Sequence, residues 1–529
     1  MMDPPSVALT LQEISSMLSK VNSATLHGID AIPIEVQVDI AKGSLPSWQT
    51  VGLPESSVRE SRDRVIAAIK NCGYSFPRYR ITINLAPANI KKAGTAFDLP
   101  IALGLLVSGE ILTQEKISSW LVVGELSLDG SLKPIEGALA MTLMAQEKKY
   151  KGIILPQSNL REVYLLRDYN IQGAHNIVEV VEYFTGHRLE LCLPSGEPSE
   201  EPPPSYPLDY QDIRGQDHAK RAMMIAAAGG HNLLMTGTPG AGKSMLAERL
   251  PTILPPLSFQ ETLETTKIYS ITPQTRTQNK NNFLLSRRRP FRAPHHTISE
   301  VGLAGGRSHP RPGEVSLAHN GVLFLDELAE FKRNVLEVLR QPMENREVTI
   351  VRSQAAVTFP ASFILVAAMN PCPCGRRYSP KEECYCTPGD LQRYFKKISS
   401  PLLDRFDLHV PITAVSYDKL HTPPLGDNSY TMGEKVLCAR KRQLTRLKET
   451  PYSCNAQLPP RLTREMCPLP PEGEALLSRA IDSLGFSARA YDRILRVSRT
   501  IADLENIEKI NKEHVAEAIA LRHLDKIVF

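Results

Sequence analysis

Gly237-Thr238-Pro239-Gly240-Ala241-Gly242-Lys243-Ser244 follows an apolar run at 231–236 and precedes a helix-compatible stretch at 245–250. Strand, glycine-rich turn and helix in that order form a phosphate-binding loop. The glycines let successive backbone amides and the helix N-terminus face an anion, and Lys243 adds a mobile positive charge. A second signal lies downstream, where Val322-Leu-Phe-Leu-Asp326-Glu327 reads as a buried strand ending in two carboxylates. Ser244 and Asp326 supply hard oxygen ligands for Mg2+, and Glu327 is placed to polarise an attacking water. With a third apolar run at 363–369, the pattern predicts an α/β core with a parallel sheet that binds and hydrolyses ATP.

Outward from this core, 529 residues with 42% hydrophobic content are enough for more than one domain. The stretch 193–207, LPSGEPSEEPPPSYP, has little to bury and its prolines hold it extended, so it reads as a linker. The expected organisation is a disordered extension at 1–16, an α+β domain at 17–191 and a Pro/Glu-rich linker at 192–208. An ATPase core at 209–415 and a helical lid at 416–529 complete it. In the first domain, β-prone runs at 35–40, 79–85, 120–123 and 152–155 alternate with helical patterns at 56–70 and 99–106. In the last, Ile494, Val497 and Ile501 recur at helical spacing and Asn511 is placed to cap the final helix. No apolar run approaches the roughly 20 residues of a membrane span, and the N-terminus has no secretory pattern. A soluble protein of the reducing cytoplasm is expected. A formal charge of +5 over this length does not by itself indicate a nucleic-acid partner.

Nine cysteines are too few for a disulfide scaffold, and Cys372, Cys374, Cys384 and Cys386 fall within a short stretch. Two C-x-C pairs can supply four thiolates to a tetrahedral Zn2+, with free structural thiols as the alternative.

Further motifs resemble those of AAA+ ATPases. Asn370, at the end of the third strand, is similar to the polar residue that orients the attacking water in that class. Ser400-Pro-Leu-Leu-Asp404-Arg405-Phe406-Asp407 resembles the segment carrying the arginine finger, which makes Arg405 the residue expected to reach a neighbouring subunit's nucleotide. Ser487-Ala-Arg489 resembles the second sensor of the lid, although Arg493 and Arg496 lie close by. Ile213-Arg-Gly-Gln216 resembles the adenine-side box.

More specific wording occurs at Arg289-Pro-Phe-Arg-Ala-Pro-His-His-Thr297, Arg311-Pro-Gly-Glu-Val-Ser-Leu-Ala-His-Asn320 and Ala368-Met-Asn-Pro-Cys-Pro-Cys-Gly375. These stretches resemble the YifB/ComM family of Mg-chelatase-like AAA+ ATPases. The resemblance implies a hexameric ring and a DNA helicase that extends branches during recombination in natural transformation. It also implies a helix-two insert at 265–310 and a pore hairpin at 347–360, with strands at 348–351 and 356–359 joined at Ser353-Gln354. Arg287, Arg288, Arg289, Arg292 and Arg352 are then available to track DNA phosphates, with subunit contacts or solvation as the alternative.

The N-terminal half resembles a Lon-protease-like domain of the ribosomal S5 domain 2 type. Its Gly124-Glu-Leu-Ser-Leu-Asp-Gly130 and Lys92-Ala-Gly-Thr-Ala-Phe-Asp98 match Lon segments, yet Leu139 and Ala96 stand where the catalytic lysine and serine belong. Ser-Lys chemistry lacks both nucleophile and base, so a catalytically inactive domain is expected. Two rival functions remain open on sequence: a remodelling chaperone resembling the magnesium-chelatase motor subunit, and a protease-like regulator without proteolytic activity.

Overall fold

The computed structural model describes residues 17–41, 46–75, 79–92, 94–188, 190–193, 207–272, 288–306, 310–352, 355–377, 383–413, 427–484 and 486–522. The extension at 1–16, most of the linker, Arg287 and the hairpin turn Ser353-Gln354 lie outside them, as does the side chain of Arg352. The chain divides into two compact units, 1–201 with 266–285, and 202–265 with 286–529.

The first unit is built on a seven-stranded mixed sheet in the order Ser47–Val51, Arg80–Ala86, Asp30–Ala41, Met17–His27, Trp120–Val122, Gly152–Pro156, Ile171–Ala174. Along Asp30–Ala41 the inward positions are Ile34, Val36, Val38 and Ile40, the period-2 alternation of a sheet with one buried face. Its antiparallel partner Met17–His27 escapes a hydrophobicity reading because Ser19, Ser23 and Thr25 share its buried side with Val21. Ser19 Oγ is satisfied by donating to Gly104 O at 2.8 Å, on the helix Asp98–Ser108, every residue of which is buried.

The second unit carries a five-stranded sheet in the order Phe291–Arg292, Val322–Leu325, Ile364–Met369, Leu233–Gly237, Leu408–Ile412, parallel throughout. Alternate residues of each strand feed different cores. Leu233, Met235, Val366 and Ala368 join a core that continues through the helix Asp217–Gly229 into the C-terminal helices, while Leu234, Leu323, Leu365 and Ala367 pack on the other side with Val335, Leu336 and Leu402. Burial on both faces explains why these strands read as continuous apolar runs. The edge strand Leu408–Ile412 was not legible, because His409 and Pro411 interrupt it. Pro411 is tolerated on an edge, where a missing N–H costs no ladder bond.

The helical C-terminal region comprises Ser429–Arg446, Pro460–Met466, Pro471–Leu484, Ala488–Leu504 and Lys512–Ala520. As expected, Ile494, Val497 and Ile501 are buried, and Asn511 caps the last helix by accepting from His514 N at 3.0 Å. Glu347–Arg352 and Ala355–Pro360 pair as an antiparallel hairpin. No helix among the described residues is long and apolar enough to cross a membrane.

Candidate functional site

The site grows from the C-terminal ends of the parallel strands, where ligands of open α/β sheets gather. The register Thr236↔Met369 puts Gly237 beside Asn370, and Lys243 opens the helix Lys243–Glu248 directly after the turn. Lys243 Nζ donates to Gly237 O at 2.6 Å, Thr238 O at 3.1 Å and Asn370 Oδ1 at 3.1 Å. Burial lowers the pKa of its ammonium, against the pull of Asp326 and Glu327. Gly240 and Gly242 take φ of +76° and +89°, conformations that side chains rarely adopt, and a Cβ on either would meet nothing within 4 Å. The loop is therefore an open cradle that fits a polyphosphate, with an ammonium whose protein oxygens phosphate oxygens can replace.

Ser244 Oγ donates to Asp326 Oδ2 at 2.7 Å, bringing together the oxygens suited to Mg2+. Asp326 Oδ1 accepts from the amide of Glu327 at 2.9 Å. Glu327 sits in the left-handed region at φ +52°, uncommon for a side-chain-bearing residue, with its side chain 54% exposed. Both carboxylates thus lie at the glycine turn.

A residue the sequence reading did not single out completes this edge. His296 Nδ1 lies 3.3 Å from Glu327 Oε2, and its ring lies against that of His295 at a tilt of 34°, with centroids 4.1 Å apart, and meets Phe331 edge-on. The ladder explains the meeting: Arg292 pairs with Leu323, and His296 and Glu327 each lie the same distance further along the chain. Tyr394 plays a similar part for Asn370, its hydroxyl donating to Asn370 O at 3.1 Å.

The remaining motif residues have distinct surroundings. Gln216, left-handed at φ +61°, donates to Thr413 O at 2.6 Å and to Ala241 O at 3.4 Å, joining the 213–216 stretch to the glycine turn. Arg405 is not brought to its own chain's Lys243. Its backbone carbonyl accepts from Asn232 at the opposite end of the phosphate-loop strand, and its guanidinium pairs with Glu344 and donates to Pro401 O. Arg489 is exposed, one residue into the helix Ala488–Leu504, whereas Arg493 pairs with Asp407 at 3.3 Å and Arg496 donates to Ala456 O at 2.9 Å. Asp407 also accepts from the amide of Asn232 and faces His231; burial favours its neutral form, but His231, Arg496 and Arg493 outweigh it and hold the carboxyl below its usual range.

Two of the arginines considered for DNA are already engaged. Arg289, mostly buried, forms a two-point pair with Glu261 at 3.1 and 3.2 Å and donates to Pro255 O and Asn320 O. Arg292 grips Glu314 at 2.6 and 2.8 Å. Both tie the later part of the insert to neighbouring segments, Arg289 to the helix Phe259–Ser270 and Arg292 to the helix Glu314–Leu317, and do not project freely.

Cys372, Cys374, Cys384 and Cys386 bring their sulfurs within 4.8 Å of one another, with separations of 3.3 Å for 372–374, 3.7 Å for 372–384 and 3.6 Å for 374–384. The Arg377 amide donates to Cys372 Sγ at 3.4 Å, and the Arg376 amide bonds Cys374.

In the first unit, Ala96 and Leu139 are buried, and neither side chain offers a nucleophile or base. Asp98 receives Arg64 at 2.7 and 3.0 Å, but complete burial outweighs that pair and raises its pKa to about 6.

With this geometry in view, the comparisons are specific. Family models described as magnesium chelatase subunit ChlI match residues 209–420, as subunit ChlI of Mg-chelatase 36–159, and as the ChlI C-terminal region 426–522. The chain is 42% identical over 513 residues to YifB of Escherichia coli, a match covering 97% of this chain and 98% of the relative. It is 41% identical over 517 residues to competence protein ComM of Haemophilus influenzae, with the same coverage. The chain belongs to the YifB/ComM family of magnesium-chelatase-like proteins. By contrast, the magnesium-chelatase 67 kDa subunit of Chlorobaculum parvum matches at 29% identity over 213 residues, 40% of this chain and 27% of that protein. The YifB/ComM fold accordingly combines an AAA+ α/β core with a helical C-terminal region.

Proposed function

We propose that this YifB/ComM protein is an ATP-hydrolysing ring, a hexamer, that moves along DNA and drives branch migration in recombination during natural transformation. The observation that carries the ATPase part is the convergence of Lys243, Ser244, Asp326, Glu327 and Asn370 at one sheet edge. The near-full-length likeness to a competence protein supports the DNA part.

In this reading the loop amides and Lys243 bind the β- and γ-phosphates, and Asn370 holds both Lys243 and the attacking water in place. Glu327 orients and polarises that water. Bound Mg2+, held by Ser244 and Asp326, supplies charge neutralisation at the phosphates. Arg405, turned away from its own site, and Arg489, exposed on the lid, serve the nucleotide of a neighbouring subunit. Arg405 must then exchange Glu344 for phosphate. The four clustered thiols hold one Zn2+, and the hairpin formed by Glu347–Arg352 and Ala355–Pro360 lines the pore. The first unit is an inactive Lon-like scaffold.

The test is ATP turnover with and without single-stranded DNA, followed by unwinding of a synthetic branched duplex. Stimulation together with unwinding supports the motor. Turnover that ignores DNA, with no unwinding, favours the chelatase-like remodelling reading, and degradation of casein would reinstate a protease.

A further inference from the structure

The cysteine cluster and the phosphate loop are in direct contact. Gly375, within the cysteine knuckle, has φ +73°, and a Cβ there would lie 2.9 Å from both Cδ and Cγ of Pro239. The knuckle closes through Gly375 N donating to Cys372 O at 3.0 Å. On its other side Cys372 follows Asn370 by two residues, and Asn370 bonds Lys243. One short stretch therefore touches the nucleotide site twice, through the ring of Pro239 and through the sensor amide.

From this arrangement we infer that the four thiols form a structural zinc site that clamps the sensor residue and the phosphate loop in register, so that ATP turnover depends on the metal. The inference rests on the zinc reading given above and adds its consequence for the active site. Zn–S bonds of about 2.3 Å at tetrahedral angles place sulfurs about 3.8 Å apart, close to the spacing of the cluster, whereas a disulfide needs about 2 Å. The Arg377 amide donates to Cys372 Sγ at 3.4 Å, a contact that holds this sulfur in place for a metal. Soft sulfur ligands in fourfold array select zinc over Mg2+. Cys384 is exposed and Cys372 buried, so the site joins a surface segment to the root of the sensor loop. Without the metal, the Cys372/Cys374 pair and the Cys384/Cys386 pair lose their cross-link, and Asn370 and Pro239 lose their common support.

Two substitutions in the full-length chain separate the parts of this inference. Cys384→Ser removes an exposed ligand and should lower zinc content from about one per chain to near zero; kcat for ATP should fall about 10-fold, with KM changed much less. Gly375→Ala keeps all four thiols but presses a methyl group into Pro239; it should retain zinc and still lower kcat. Cys438→Ser, an exposed thiol outside the cluster, is the control and should change neither. Zinc is measured by elemental analysis and by release with a mercurial, and circular dichroism confirms that each variant is folded. Wild-type protein without stoichiometric zinc, and unable to take it up, overturns the metal site. Zinc-free Cys384→Ser and zinc-bound Gly375→Ala that both turn over ATP at the wild-type rate overturn the coupling while leaving zinc in place.

Discussion

Replacing His296 with alanine removes the side chain facing Glu327 Oε2 at 3.3 Å without touching the phosphate loop. A polar group held against a charged carboxylate contributes at most about 1.5–3 kcal/mol when well shielded. Here the imidazole is 30% and the carboxylate 54% exposed, so solvent screening brings the figure down to about 1 kcal/mol. If that interaction aims Glu327 at the water only when turnover is under way, the loss appears in kcat as about a fivefold decrease. The KM for ATP should stay near its wild-type value, since the phosphates are held by Lys243 and the loop amides. His296→Gln restores a donor in the same direction and should recover part of the rate. A coupled-enzyme ATPase assay across ATP concentrations measures both constants. An unchanged kcat in His296→Ala, or a loss confined to KM, would refute the positioning role.

Other outcomes follow from the same contacts. Arg289→Ala strands Glu261, whose pKa is lowered because Arg289 and the Ser258 amide outweigh burial, and should destabilise the second unit by about 3 kcal/mol in urea unfolding. It should leave the salt dependence of DNA binding unchanged, and a shallower salt slope would return Arg289 to the DNA surface. His409 is buried and held neutral, its pKa well below 6.5 from burial first and from Arg522 and Arg493 next. Below pH 6.5 the unfolded chain takes up a proton there that the folded chain refuses, so stability is lost as pH falls, by about 1.4 kcal/mol per unit. His409→Phe should flatten the dependence of the urea midpoint between pH 7 and 5, and an equally steep slope in the variant would assign it to other groups.

That Lys243, Ser244, Asp326, Glu327 and Asn370 would meet at one sheet edge was legible because each belongs to a short motif attached to a strand buried on both faces. Composition and local order suffice there. His296 was hidden because its partner lies on another strand, and only the pairing of Arg292 with Leu323 shows that equal offsets bring it to Glu327. The signal was present in the paired histidines of the Arg289–Thr297 stretch, but the register needed to use it is tertiary. Arg289 and Arg292 looked like phosphate readers because sequence shows a charge without its counterion. Their carboxylates, Glu261 and Glu314, are remote in sequence, and only folding reveals the pairs. Met17–His27 was missed for the opposite reason, since Ser19, Ser23 and Thr25 fill inward positions of the strand, Ser19 donating to Gly104 O. The sequence of one chain also cannot show which surface Arg405 meets. In the fold its pair with Glu344 keeps it at the end of the sheet remote from its own phosphate loop.

In the proposed mechanism Glu327 activates water at a site where Lys243 grips the phosphates. Glu327→Gln keeps the size of the side chain and removes its charge. The variant should bind a fluorescent ATP analogue with wild-type affinity yet hydrolyse ATP at least about 100-fold more slowly, a loss of about 2.7 kcal/mol in transition-state stabilisation. Wild-type turnover by Glu327→Gln, with binding intact, would show that Glu327 does not activate the water.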